Sequence, residues 1–113
     1  MHEFSLCEGI IDTVTAQARQ QGFCRVRRVW LEIGELANVE LDALRFAFEI
    51  VRQDTAAAAA ELDIITLPGR AYCLDCGQPV AVSQHFDPCP VCGSYQWRLL
   101  SGTELRIKEL EVD

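Results

Sequence analysis

Cys73 and Cys76 are separated by two residues, and so are Cys89 and Cys92; twelve residues lie between the pairs. Each second cysteine is followed by glycine, Gly77 and Gly93. Four thiolates can close a tetrahedral shell around Zn²⁺ at about 2.3 Å, and a two-residue spacer lets one tight turn supply two of them. Glycine accepts positive φ, so the backbone after each pair can turn its N–H groups toward the sulfurs. Pro88 and Pro90 stiffen the approach to the second pair. The doubled C-x-x-C-G therefore predicts a four-cysteine metal site made by Cys73, Cys76, Cys89 and Cys92.

Three other chemistries use the same residues. Two disulfides would need an oxidising compartment, and no signal-peptide pattern opens the sequence. A thioredoxin-like pair would leave the second C-x-x-C unexplained. Iron remains open, because CPVCG also looks like half of a rubredoxin site and sulfur ligands alone do not separate the two metals. Zinc is favoured, since the segment sits in a larger chain with no obvious redox partner. Four cysteines fill the shell and leave no open position for a substrate, which points to scaffold or sensing rather than hydrolysis.

The remaining candidates are sparse. His2 and His85 are the only histidines. A terminal amine, adjacent backbone nitrogens and the His2 imidazole could surround Ni²⁺ or Cu²⁺ in a nearly flat set, with Glu3 adding an oxygen or a charge. The alternative is an ordinary residue at a frayed chain end. His85 lies between the cysteine pairs; it is expected to be an exposed loop residue, with thiolate replacement as the rival role. Cys7 falls on an apolar helix face and is expected in the core. Cys24 precedes a strand, either buried or reactive. No phosphate loop, nucleophile elbow or Ser–His–Asp set is present.

These groups must be positioned by a small scaffold. The chain has 113 residues, half of them hydrophobic, enough for one domain carrying a small insertion. Its net charge of −7 weighs against nucleic acid, whose phosphates demand Lys and Arg. No apolar run approaches the roughly 20 residues of a membrane span. Ser5 and Glu8 read as a capping box for a helix over about 5–21, stopped by Gly22. Alternation of Val29, Leu31 and Ile33 predicts a strand over 25–34. Asn38 is the expected N-cap of a second helix, about 39–53, with Leu41, Leu44, Phe48 and Val51 on its buried face. Ala56 to Ala60 either prolong that helix or form a loop. Strands follow at 61–67 and 103–112, the latter with a phase slip near Lys108 or Glu109 that suggests a bulge. The metal module lies between these last two strands. The expected organisation is an α/β unit, made from both chain ends, that carries the zinc ribbon as an insertion. The domains are then 1–69 with 101–113, and 70–100.

The opening MHEFSL, the stretch LEIGELANVE, the twin cysteine motifs and the closing SGTELRIKELEVD together resemble HypA/HybF proteins, over the whole chain and in the family's order. These are nickel metallochaperones of [NiFe]-hydrogenase maturation. The resemblance implies an α+β fold, a small mixed β-sheet with two α-helices plus an inserted zinc-ribbon domain, and a carrier rather than an enzyme, with the four cysteines holding structural Zn²⁺. It assigns Ni²⁺, a transient cargo, to His2, with the Met1 amine and the Glu3 backbone nitrogen as co-ligands. Implied partners are the GTPase HypB and the hydrogenase large subunit precursor, with urease maturation factors for some members. Six cysteines without a secretory signal suggest a reducing cytoplasm, and with the charge and the lack of a long apolar run the expectation is a chain that binds neither nucleic acid nor membrane, as a monomer or a homodimer. A zinc-ribbon interaction module, or a rubredoxin-like electron carrier, is the competing function.

Overall fold

A computed structural model describes residues 2–113. The elements run α1 (Glu3–Gln21), β1 (Val26–Gly34), α2 (Leu41–Val51), β2 (Glu61–Leu67), β3 (Arg70–Cys73), β4 (Gln78–Ala81), β5 (Trp97–Ser101) and β6 (Leu105–Val112). Two three-stranded sheets result, ordered β2-β1-β6 and β4-β3-β5. In the first, Arg28 pairs with Glu61 and Asp63 at the start of β2, while Glu35 N–H reaches the carbonyl of Leu67, the last residue of β2. β1 and β2 are therefore parallel, and α2 makes the crossover that parallel strands require. Asp113 N–H bonds to Arg25 O and Gly34 N–H to Glu104 O, so β6 runs antiparallel to β1. The sheet is mixed, as the family resemblance implies.

The chain divides into two compact units. One comprises 1–31, 39–64 and 107–113; the other comprises 32–38 and 65–106. In the first, Cys7, Ile10, Ile11 and Val14 recur at helical spacing and are buried along α1. They share a core with Val29 and Leu31 of β1 and with Leu44, Ala47 and Phe48 of α2, all at most 8 % exposed. The Cys7 thiol donates to the Leu44 carbonyl at 3.4 Å, joining the helices.

Both helix starts differ from expectation. Leu6 N–H finds the His2 carbonyl at 3.0 Å, so α1 begins at Glu3 and Ser5 falls inside the first turn, where it cannot cap. Asn38 adopts φ 58° in the preceding turn, and Glu40 caps α2 instead, its carboxylate accepting from Asp42 and Ala43 N–H. The alanine run forms turns rather than helix. Asp54 takes φ 63°, and the Thr55 hydroxyl both donates to Arg52 O and accepts from Ala57 N–H. Along β6 the in–out burial alternation skips at Lys108–Glu109, where the phase slip was expected.

The second unit has a smaller core: Leu36, Ala71, Cys73, Val80, Val82 and Cys89. β3 pairs antiparallel with β4 (Ala71 opposite Val80) and with β5 (Ala71 opposite Leu99), with a register shift at Arg70–Ala71. Its root is built on backbone contact. A Cβ on Gly34 would lie 1.9 Å from Gly102 O, one on Gly69 2.2 Å from Val82 O, and one on Gly102 2.7 Å from Gly69 Cα. Only glycine lets these segments approach so closely.

Candidate metal centre

The two cysteine turns are near copies. Gly77 (φ 65°) donates to Cys73 O at 2.9 Å, and Gly93 (φ 76°) donates to Cys89 O at 2.8 Å. Each turn thereby throws both of its sulfurs to one side. β3 delivers Cys73, and the turn into β4 delivers Cys76. The four Sγ atoms of Cys73, Cys76, Cys89 and Cys92 all lie within 4.8 Å of one another. Cys73 and Cys92 are 3.6 Å apart, Cys76 and Cys89 3.7 Å. Tetrahedral ligands at about 2.3 Å from one ion have edges of about 3.8 Å, so the sulfur cage is already the size of a four-thiolate shell. Cys73 and Cys89 are buried, Cys76 is half-buried and Cys92 exposed.

Electrostatics also call for a cation. The Cys92 N–H, then that of Val91, pull the Cys89 thiol down to about 7 against its burial. The Gln78 amide pulls Cys76 the same way from 3.6 Å, but the neighbouring sulfurs and desolvation outweigh it and push that thiol up to about 12. A bound divalent ion supplies the charge that lets all four ionise.

At the chain's start, Met1 lies outside the described residues. His2 is exposed at the N-cap of α1, and its side chain makes no capping bond. Glu3 is buried, 5 % exposed, and its carboxylate accepts the Glu40 N–H at 3.2 Å. Glu3 thus fastens the beginning of α1 to the residue that caps α2.

The family model described as "Hydrogenase/urease nickel incorporation, metallochaperone, hypA" matches residues 1–112. The chain belongs to the HypA family. It is 58 % identical to the hydrogenase maturation factor HypA of Alkalilimnicola ehrlichii and 55 % identical to that of Acidithiobacillus ferrooxidans, over 113 residues and the whole of each chain. The solution structure of the Ni metallochaperone HypA from Helicobacter pylori superposes with a TM-score of 0.71 at 26 % identity, covering 99 % of this chain and 97 % of that one. At family level the protein is a nickel metallochaperone of hydrogenase maturation with a cysteine metal site, not an enzyme. No helix among the described residues is long and apolar enough to cross a membrane.

The other candidates of this HypA-family chain stand apart from the cysteine cage. The His85 ring Nε2 is 2.8 Å from the Leu36 carbonyl, so its exposed side chain is spent on a backbone bond and replaces no thiolate. Cys7 is fully buried; desolvation, then the Glu3 charge, push its thiol up to about 11. Cys24 is exposed. Sequence reasoning passed over Asp87, which organises the loop leading to the second cysteine turn. Its carboxylate accepts from Ser83 N–H, Ser83 Oγ and Gln84 N–H, and its carbonyl accepts the Trp97 indole N–H at 2.8 Å. The spacing S-x-x-x-D in SQHFD was the available signal.

Proposed function

We propose that this chain carries Ni²⁺ at its leading end and surrenders it during [NiFe]-hydrogenase maturation, while a permanently held Zn²⁺ keeps the ribbon in shape. The match to the HypA family model over residues 1–112 is the observation that carries this reading. Cys73, Cys76, Cys89 and Cys92 hold zinc. Bound there, the ion supplies folding free energy and no chemistry, because four thiolates leave no coordination position for a reactant. His2 is the principal nickel ligand, completed by the Met1 amine and the deprotonated backbone nitrogen of Glu3; such nitrogens suit the tetragonal preference of Ni²⁺. The Glu3 carboxylate serves as an anchor rather than a ligand, which its burial and its bond to Glu40 support.

In this reading residues 1–69 and 101–113 form the nickel-binding α/β domain, and 70–100 the zinc ribbon. A terminal site suits handover, since few protein contacts break when a recipient's ligands replace nitrogens one at a time. The GTPase HypB and the hydrogenase large subunit precursor are the intended partners, with urease maturation as a second destination. Six free cysteines fit a reducing cytoplasm.

The test is metal analysis and nickel titration of untagged protein. One zinc per chain and nickel uptake at neutral pH are expected. His2→Ala loses nickel binding and keeps zinc and helicity, and a residue added before Met1 impairs nickel uptake. Unchanged nickel binding in His2→Ala overturns the terminal site. A red, iron-bearing protein would instead favour the electron carrier.

A further inference from the structure

The two cysteine turns are joined by something other than metal. Asp75, between Cys73 and Cys76, accepts a hydrogen bond from the hydroxyl of Ser94, which follows Cys92 and Gly93 in the other turn. The same hydroxyl accepts the Gln96 N–H at 2.9 Å. Its donor and acceptor capacities are therefore both used, and the chain of bonds runs one way: Gln96 N–H to Ser94 Oγ, Ser94 O–H to Asp75. Backbone bonds bracket it. Leu74 N–H donates to Gln96 O at 2.8 Å, and Cys89 N–H donates to Ser94 O at 2.7 Å. Ser94 also meets the cage through its backbone N–H, which donates to the Cys92 sulfur, but neither the Asp75 nor the Ser94 side chain is among the ligands.

We propose that Asp75 and Ser94 are positioning residues, a clasp across the cysteine cage that sets how slowly it releases its metal. This rests on reading the four cysteines as the metal site. For the ion to leave, one turn must swing away from the other and its thiolates must be protonated or taken by a competitor. The clasp opposes that separation directly. Cys92 is the exposed ligand, so its turn is the one a competitor reaches first, and Ser94 lies two residues beyond it. An O–H···carboxylate bond is stronger than a neutral one, though Asp75 is exposed and water competes for it.

A second physical effect predicts the opposite sign. Four thiolates around a divalent ion carry net negative charge, and the Asp75 carboxylate beside them repels it. Were repulsion dominant, removing that charge would slow metal loss. The clasp requires that removal speed it up.

The experiment uses the full-length zinc-loaded protein mixed with excess chromogenic chelator, following zinc release. Asp75→Asn and Ser94→Ala each accelerate release by roughly 3- to 10-fold, less than a direct contact to a ligand would give. Asp75→Asn/Ser94→Ala goes no further than Ser94→Ala alone, because both changes act on one bond: asparagine keeps an acceptor oxygen but loses the charge that strengthens it. Ser94→Thr, which keeps the hydroxyl, releases at nearly the native rate. Ser94→Ala leaves the carboxylate in place, so it carries the test alone if Asp75→Asn fails to fold. Native rates in Ser94→Ala, or slower release in Asp75→Asn, overturn the clasp. Native protein purified without zinc overturns the underlying metal-site reading instead.

Discussion

Residues 1–31, 39–64 and 107–113 are held by side chains burying one another, with Phe48, Leu44, Val14, Leu31 and Cys7 at 0–1 % exposure. The core cluster within 32–38 and 65–106 is Leu36, Ala71, Cys73, Val80, Val82 and Cys89, and two of these, Cys73 and Cys89, belong to the metal cage. Its apolar side chains are in large part displayed: Phe86 is 84 % exposed, Tyr95 68 % and Val91 64 %. A segment of that size cannot offset its chain entropy with so little burial, whereas metal ligation supplies the deficit. The contrast teaches that one short chain uses two kinds of cohesion, and that each should fail to its own challenge.

Stripping the metal with a strong chelator should produce the largest effect. Structural zinc sites contribute on the order of 10 kcal/mol near neutral pH. Amide protection over residues 65–106 should collapse while α1 and α2 stay protected in hydrogen-exchange mass spectrometry. Simultaneous loss from the helices would erase the distinction. Phe48→Ala should do the reverse, destabilising the helical unit by about 3–5 kcal/mol, read as a lower denaturation midpoint, with zinc content unchanged. Zinc loss in that variant would show that the apolar core also serves the cage.

Cys7 sharpens the comparison through pH. Its thiol lies at about 11 in the fold because of burial and then Glu3, against about 8.5 in an unfolded chain. The folded state therefore keeps a proton that the unfolded state releases. Stability from this group is intact below the unfolded value and falls as pH rises toward the folded one. Denaturation at pH 8 and pH 10 should show a decline that Cys7→Ala makes shallower. The smallest effect is expected at the rim. Arg25, 72 % exposed and paired with Asp113, should cost less than about 1 kcal/mol when changed to alanine. A larger loss would mean that exposed ion pairs, not packing, secure the end of β6.

The cage was legible because four cysteines at fixed spacing admit few arrangements, and the buried stripe of α1 because Cys7, Ile11 and Val14 repeat with the helix. The helix starts were not. Ser5 and Asn38 have good capping chemistry, but the choice went to residues with tertiary partners: Glu3 is held by Glu40, and Glu40 turns its carboxylate onto α2. Local propensity cannot register a bond between residues 37 positions apart. The short strands β3, β4 and β5 were hidden for a related reason. Four or five residues around cysteines, prolines and turns carry too little alternation to be read, and their pairing is set by the cage they surround. The Asp75–Ser94 bond, across 19 positions, had no local signature either.

Gly34, Gly69 and Gly102 give the base of the ribbon a property that matters for anyone rebuilding it. Each meets main-chain atoms where a methyl group would stand, so none of the three accepts a side chain unless the backbone it meets moves. A foreign ribbon spliced into this stem should seat only if these three positions stay glycine, whatever metal it brings.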